Sequence, residues 1–283
     1  MRSILLALAL PALLAAQEKW SEPIERWKSE IEARSGGAVV IARALFDART
    51  RSWSVASGTP QREALMAYLA DPEFGRQLEA AHALTVSHRD GDRVTSWIFL
   101  NMQRSREWAN EDAIIGHELG HAWLKAEGYP TPRFVPGPTA CLSVHTGDVV
   151  QHILLREEMD RRGIRYRPGW IQDLEATVRH MESGGAPPSE PCQRVQQAAL
   201  WIDARLGLTA TDWPGLPRYF ELQRKQYPAL SGIVEDIVKY LRDADVHSKD
   251  GHRAALAYVF PRLKMAATGS EVAQITTSLK INR

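Results

Sequence analysis

Apolar positions along this chain fall first into short alternating runs and then, past residue 110, into runs spaced by three and four. Trp20, Ile24, Trp27 and Ile31 recur at four, three and four residues, which predicts an amphipathic helix over 18–34 ended by Gly36-Gly37. Ala38–Leu45 and Arg51–Ala56 read as strands around a turn at Asp47–Thr50. Gln61–Ala81 reads as helix with a break near Asp71-Pro72, because proline removes a backbone donor. His82–His88 and Val94–Asn101 flank Asp90-Gly91-Asp92, a hairpin signal. Asn110 is a good N-cap, Glu111 and Asp112 fill a first turn that favours acids, and Gly128 with Pro130 ends the run, framing a helix over 111–127. A second helix runs from near Thr146 to about Arg162 and stops at Gly163. The remainder is mainly helical, at Gln172–Glu182, Arg194–Leu206, Gly232–Asp243 and His252–Leu263. The expected class is α+β: a small, mainly antiparallel sheet, then helix 111–127, then a largely helical C-terminal part. We read 17–283 as one domain with parts at 18–101, 110–163 and 164–283, and Ser183–Pro191 as its one linker-like stretch.

Composition narrows the function classes. The 283 residues include 44% hydrophobic residues and nine tryptophans, enough for a sizeable core. The net charge of +1 and the lack of a basic cluster give no support for nucleic-acid or anionic-membrane partners. Arg2 precedes an apolar run from Ile4 to Leu14, and Ala15-Ala16 supplies small residues before Gln17. That is the length of a signal peptide rather than of a membrane span, so cleavage near Ala16 and export, periplasmic or secreted, are expected. No other stretch approaches the roughly 18 apolar residues of a span. Export gives Cys141 and Cys192 an oxidising compartment in which to form one disulfide. Neither has zinc-site spacing.

The chemistry concentrates in His117-Glu118-Leu119-Gly120-His121. Helical residues four apart share a face, so His117 and His121 can grip one metal ion together. Glu118 stands about 100° round the helix, beside the metal, where it can accept a proton from water. Ile114, Ile115, Leu119, Ala122, Trp123 and Leu124 make this a largely buried helix. Gly116 and Gly120 each cost about 1 kcal/mol against alanine there, which predicts that something packs closely against both.

This stretch resembles the active-site helix of the zincin metallopeptidases, of the thermolysin-like (gluzincin) rather than the metzincin branch. The residue six past His121 is Glu127, not the further histidine of metzincins. The resemblance covers the motif helix and, loosely, the strand before it. It implies Zn2+ as cofactor, His117 and His121 as ligands, Glu118 as general base and a peptide or protein substrate. Catalytic zinc takes three protein ligands, so one more is needed. The second helix offers Asp148, His152, Glu157, Glu158 and Asp160. We favour His152, with Asp148 orienting a ligand histidine; next come Asp148 itself, then Glu157 or Glu158, then His145. A donor for the oxyanion is expected among Tyr166, His180, Tyr219, Tyr240, His247 and His252. By the same resemblance an edge strand beside the motif helix holds peptide; Thr95–Phe99 reads equally as that strand or as a simple buried core strand. Two functions follow: an exported zinc-dependent peptidase, or a non-catalytic zincin-like binding protein with a structural metal. A purely structural site has no need of Glu118, which favours hydrolysis.

Overall fold

The computed structural model describes residues 19–107, 110–132, 140–186, 190–268 and 281–282. The expected signal peptide, 1–16, lies outside them. Helix α1 (Glu22–Ser35) buries Ile24, Trp27 and Ile31, the predicted stripe, and ends at Gly36 in the left-handed conformation. Strands β1 (Val39–Asp47) and β2 (Ser52–Ser54) form an antiparallel pair. Helices α2 (Arg62–Leu69) and α3 (Pro72–Ala80) are separated at Asp71, whose side chain caps α3 by accepting from the Glu73 amide. Strands β3 (Ala83–Asp90) and β4 (Arg93–Asn101) make the expected hairpin, with Asp90 opposite Arg93.

The sheet order is β2-β1-β4-β3. Two of its three pairings are antiparallel, whereas β1 and β4 run parallel, with Val39 opposite Ser96. The fold is thus the expected α+β class, on a mixed sheet. Strand residues alternate between faces, and both faces are covered. Val39, Ile98 and Leu100 pack toward α1 and the motif helix, whereas Val40, Ala42, Trp97 and Phe99 pack toward α2 and α3. Of the two readings of Thr95–Phe99 the edge strand fails and the buried core strand holds. Thr95–Phe99 is not an edge: β4 is hydrogen-bonded on both sides, by β1 and by β3. The crossover through α2 and α3 inserts β4 into the sheet and leaves β3 at the rim, a strand order that alternation along a single strand does not encode.

Helix α4 (Glu111–Glu127) has the predicted bounds, with Asn110 accepting from the Asp112 amide at 3.0 Å. Helix α5 (Ala140–Arg161) begins six residues before the expected start at Thr146 and so includes Cys141 and His145. Burial of Leu142 in the helical core carries it back to that point. Then follow α6 (Arg167–Glu182), α7 (Pro191–Gly207), α8 (Leu216–Gln226), α9 (Pro228–Asp243) and α10 (Lys249–Thr268). The pattern missed α8, because Arg218, Glu221, Arg224 and Lys225 interrupt a stripe of Leu216, Tyr219, Phe220 and Leu222 that is nevertheless buried. A short pair, β5 (Thr131–Pro132) and β6 (Ile281–Asn282), lies against α5, where Pro132 faces Gly147.

Two helices join the layers. Helix α4 gives Ile115, Leu119 and Ala122 to the sheet-side core and Leu124 to the helical core. Helix α5 does the same with Leu155 and Met159 on one side and Val149, Val150 and Leu154 on the other. Their contact is close at Gly120, where a Cβ would stand 2.3 Å from Leu155 Cγ. The prediction of a tight neighbour at the motif glycines therefore holds: at Gly120 it is Leu155 of α5, and at Gly116 it is Ile164, just past α5, with Met159. Among the described residues no helix is long and apolar enough to cross a membrane.

Candidate metal centre

The α4–α5 contact brings three histidines together. His117 and His121, one turn apart on α4, hold their Nε2 atoms 3.2 Å apart. His152, from α5, sets its ring 4.7 Å from that of His117 and 5.7 Å from that of His121. One ligating nitrogen from each residue lies within 4.8 Å of the others, close enough for all three to bind one metal ion. The favoured third ligand is thus where the sequence reading put it.

Two hydrogen bonds fix the donors. His121 Nδ1 lies 3.0 Å from Gln151 Oε1, and His152 Nδ1 lies 2.6 Å from Asp203 Oδ2. Both partners are acceptors, so both imidazoles donate from Nδ1 and keep the Nε2 lone pair free. His152 Nε2 is buried without a hydrogen-bond partner, an orphaned acceptor facing the other two rings. Such a group is costly unless something ligates it. The residues present therefore fit a metal ion. Burial, reinforced by His152 and His121, holds His117 well below the ordinary histidine range, in the neutral form a metal requires. Burial would also lower His152, but the carboxylates of Asp203 and Asp148 lift it above its ordinary value.

Asp148 does not have the expected role. Its Oδ1 stands 3.9 Å from His152 Nε2, too far for a hydrogen bond and on the wrong ring nitrogen, while Oδ2 faces His145 Nδ1 at 3.4 Å. The carboxylate that orients His152 is Asp203, from α7, which also accepts from Arg156 Nη1 at 3.1 Å. A signal for it existed: Asp203 ends the apolar run Ala198-Ala199-Leu200-Trp201-Ile202, and an acid buried in such a run must be paired. The other ligand candidates are engaged elsewhere, Glu157 by His247 at 2.8 Å and Glu158 by Arg161 and Arg162.

Glu118 is 8% exposed. Burial pushes its carboxyl up to about 7, against the opposing effect of the Thr85 hydroxyl, which donates to Oε2 at 2.6 Å. Glu118, His117 and His152 line a cavity of about 360 Å³, together with the apolar side chains of Ile114, Met159 and Trp170. Of the six expected oxyanion donors, Tyr166 alone lines this cavity, and its hydroxyl is turned to Asp160 at 3.4 Å. Tyr219 lies in the helical core, Tyr240 stacks on Tyr258, His247 pairs with Glu157, His252 is buried against Tyr129, and His180 is exposed.

Cys141 and Cys192 form the expected disulfide, with Cα atoms 5.8 Å apart, which staples the first turns of α5 and α7. Comparison with family models, with curated proteins and with solved structures finds no match to the chain, so its site stands on geometry alone.

Proposed function

We propose that this protein is an exported zinc-dependent hydrolase that cleaves peptide bonds, with His117, His121 and His152 as the ligands and Glu118 as the general base. The observation that carries the reading is the convergence of three buried imidazoles, two with Nδ1 already committed, on a point beside a buried carboxylate and an open cavity. A three-nitrogen donor set suits zinc, which when bound would supply Lewis acidity to the scissile carbonyl and to water. A structural site would be closed by a fourth ligand, whereas this one faces space for a substrate.

The chain's own groups supply the rest. Glu118 is held with one oxygen on the Thr85 hydroxyl, so the carboxylate cannot swing away and its basicity is raised by burial. A base tuned toward neutrality accepts a proton from water and returns it to the leaving amine. Thr85 lies on β3, the edge strand packed beside α4, so the same residue couples the base to a backbone edge that no other described strand pairs. An extended peptide pairing along β3 would pass Glu118. The apolar, N-terminal stretch over 1–16 and the disulfide support export to an oxidising compartment.

The test is metal analysis with a peptide-hydrolysis assay on wild type, His152→Ala and Glu118→Gln. One zinc per wild-type chain, lost in His152→Ala, is expected. Glu118→Gln should keep the metal and lose hydrolysis by at least about a hundredfold, the scale of a general base. A wild type that takes up no metal from a zinc solution refutes the proposal.

A further inference from the structure

Among the described residues lining the cavity, Arg156 is the one arginine or lysine. It is 8% exposed, and it stands one helical turn after His152 on α5. Buried arginines are rare unless paired, and this one has a single acceptor: Nη1 donates to Asp203 Oδ1. Its other N–H groups meet no acceptor among the described residues, although a guanidinium carries five. The group is also held rigidly. Cζ lies 5.2 Å from the Trp170 ring centroid, and its rear edge rests on Gly207, where a Cβ would come within 2.7 Å of Nε. A largely buried, immobilised cation with unused donors, lining a cavity beside the candidate metal centre, is a receptor for an anion.

Resting on the hydrolase reading above, we propose that Arg156 binds the terminal carboxylate of the substrate, making this a peptidase that removes the last residue of a chain with an apolar C-terminal side chain. Asp203 takes one N–H of Nη1 and Gly207 backs Nε, which leaves N–H groups of Nη1 and Nη2 for the paired bonds that a carboxylate accepts and a neutral amide does not. Spacing limits the cut to the last bond. One carboxylate, Asp203, bridges His152 Nδ1 at 2.6 Å and Arg156 Nη1 at 3.1 Å, so the guanidinium stands close to the ligand cluster. Only a short end of a substrate, the last residue at about 3.3–3.6 Å of extended chain, fits between them. The side chain of that residue would meet Ile114, Met159 and Trp170. In the reaction, water adds across the final amide bond: its hydroxyl goes to the carbonyl carbon, the C–N bond breaks, and the amine leaves with the proton relayed by Glu118 as a free amino acid. Among the cavity's acids Asp203 alone accepts from Arg156, and it is shared with His152; Glu107 is held by His82 and Arg104, and Glu118 by Thr85.

The experiment compares N-acetylphenylalanine with its C-terminal amide by calorimetry on zinc-loaded wild type, Glu118→Gln, Arg156→Lys and Arg156→Met. A parallel hydrolysis assay uses one acetylated peptide ending in phenylalanine, as free acid and as amide, with zinc content measured for each protein. Wild type and Glu118→Gln should bind the acid on the order of tenfold to a hundredfold tighter than the amide, the range of a charge-assisted pair. Arg156→Met should abolish the preference and Arg156→Lys should shrink it, with zinc retained. Equal binding of acid and amide by wild type, binding of neither, or a preference that survives Arg156→Met overturns the proposal. The wild-type comparison stands even where a variant fails to fold. An acid preference without any hydrolysis supports the carboxylate site while removing the hydrolase reading. Cleavage of acid and amide alike keeps the hydrolase and removes the site.

Discussion

Gly120→Ala sets two effects of known size against each other. In an isolated helix the change would stabilise α4 by about 0.8–1.0 kcal/mol. Here the new methyl would stand 2.3 Å from Leu155 Cγ and 2.7 Å from Cδ1, whereas carbons rest at about 3.5–4.0 Å. Leu155 is fully buried, so it has little room to turn away. Overpacking of this kind costs about 1–3 kcal/mol, occasionally more, and it wins: the variant should be less stable by roughly 1–2 kcal/mol. The alternative relief is a separation of α4 from α5 of about 1 Å, the shortfall from contact distance. That movement acts directly on the site, because Gly120 precedes His121 and Leu155 lies three residues past His152. Ligand distances tolerate only about 0.2 Å, so zinc affinity should fall by at least about tenfold. Denaturant melts and zinc titration against a competing chelator measure the two quantities. Gly116→Ala is the control, since its contacts are the ends of Ile164 and Met159 side chains at 3.1–3.3 Å. A Gly120→Ala protein as stable as wild type, with unchanged zinc affinity, would refute the close-approach account.

Asp203→Ala should weaken zinc binding about 10–100-fold, the usual effect of removing the carboxylate behind a ligand histidine, whereas Asp148→Asn should change it much less. Equal effects in the chelator titration would show that Asp203 has no special role. His252 is 0% exposed, and burial pushes it from 6.5 down to about 4 against a smaller opposing effect of the Val246 backbone. Its folded pKa is the lower one, so its contribution is full above pH 6.5 and is lost as pH falls toward 4, by roughly 3 kcal/mol. Metal-free Glu118, raised to about 7, has the opposite sign over much of that window, so wild type must be compared with His252→Leu in the same metal state. The stability difference between the two should move by that amount between pH 7 and 4; a constant difference would mean that His252 does not titrate. Replacing both cysteines with serine opens a loop spanning a separation of 51 residues, worth up to about 4 kcal/mol on the loop-entropy account, or roughly 8–16 °C in Tm; a shift under about 2 °C would contradict it.

Local features were readable wherever one segment carried its own signal. Asn110, Gly128 and the apolar run between them fix α4, and Asp90-Gly91-Asp92 fixes the hairpin. What the pattern could not supply was order among segments. Nothing in Thr95–Phe99 says that β1 will pair with it, and so the edge was placed one strand too far in. The misassignment of Asp148 has the same origin. An acid at i−4 on the helix of His152 is the local choice, and the true partner comes from another helix.

That partner could still have been reached from the cysteines. His152 lies eleven residues after Cys141, and Asp203 lies eleven after Cys192. Eleven residues make three turns, so each helix returns the same face to its neighbour about 16 Å further along. The disulfide and the His152–Asp203 bond share a separation of 51 residues because they are two rungs between parallel helices in one register. Two helices that begin at a common bridge and run the same way must bring together residues equally far from it. Given Cys141–Cys192 as a register mark, the residue opposite His152 is Asp203. The disulfide therefore reports more than a closed loop. It sets the register in which α7 offers its one buried carboxylate to the third histidine.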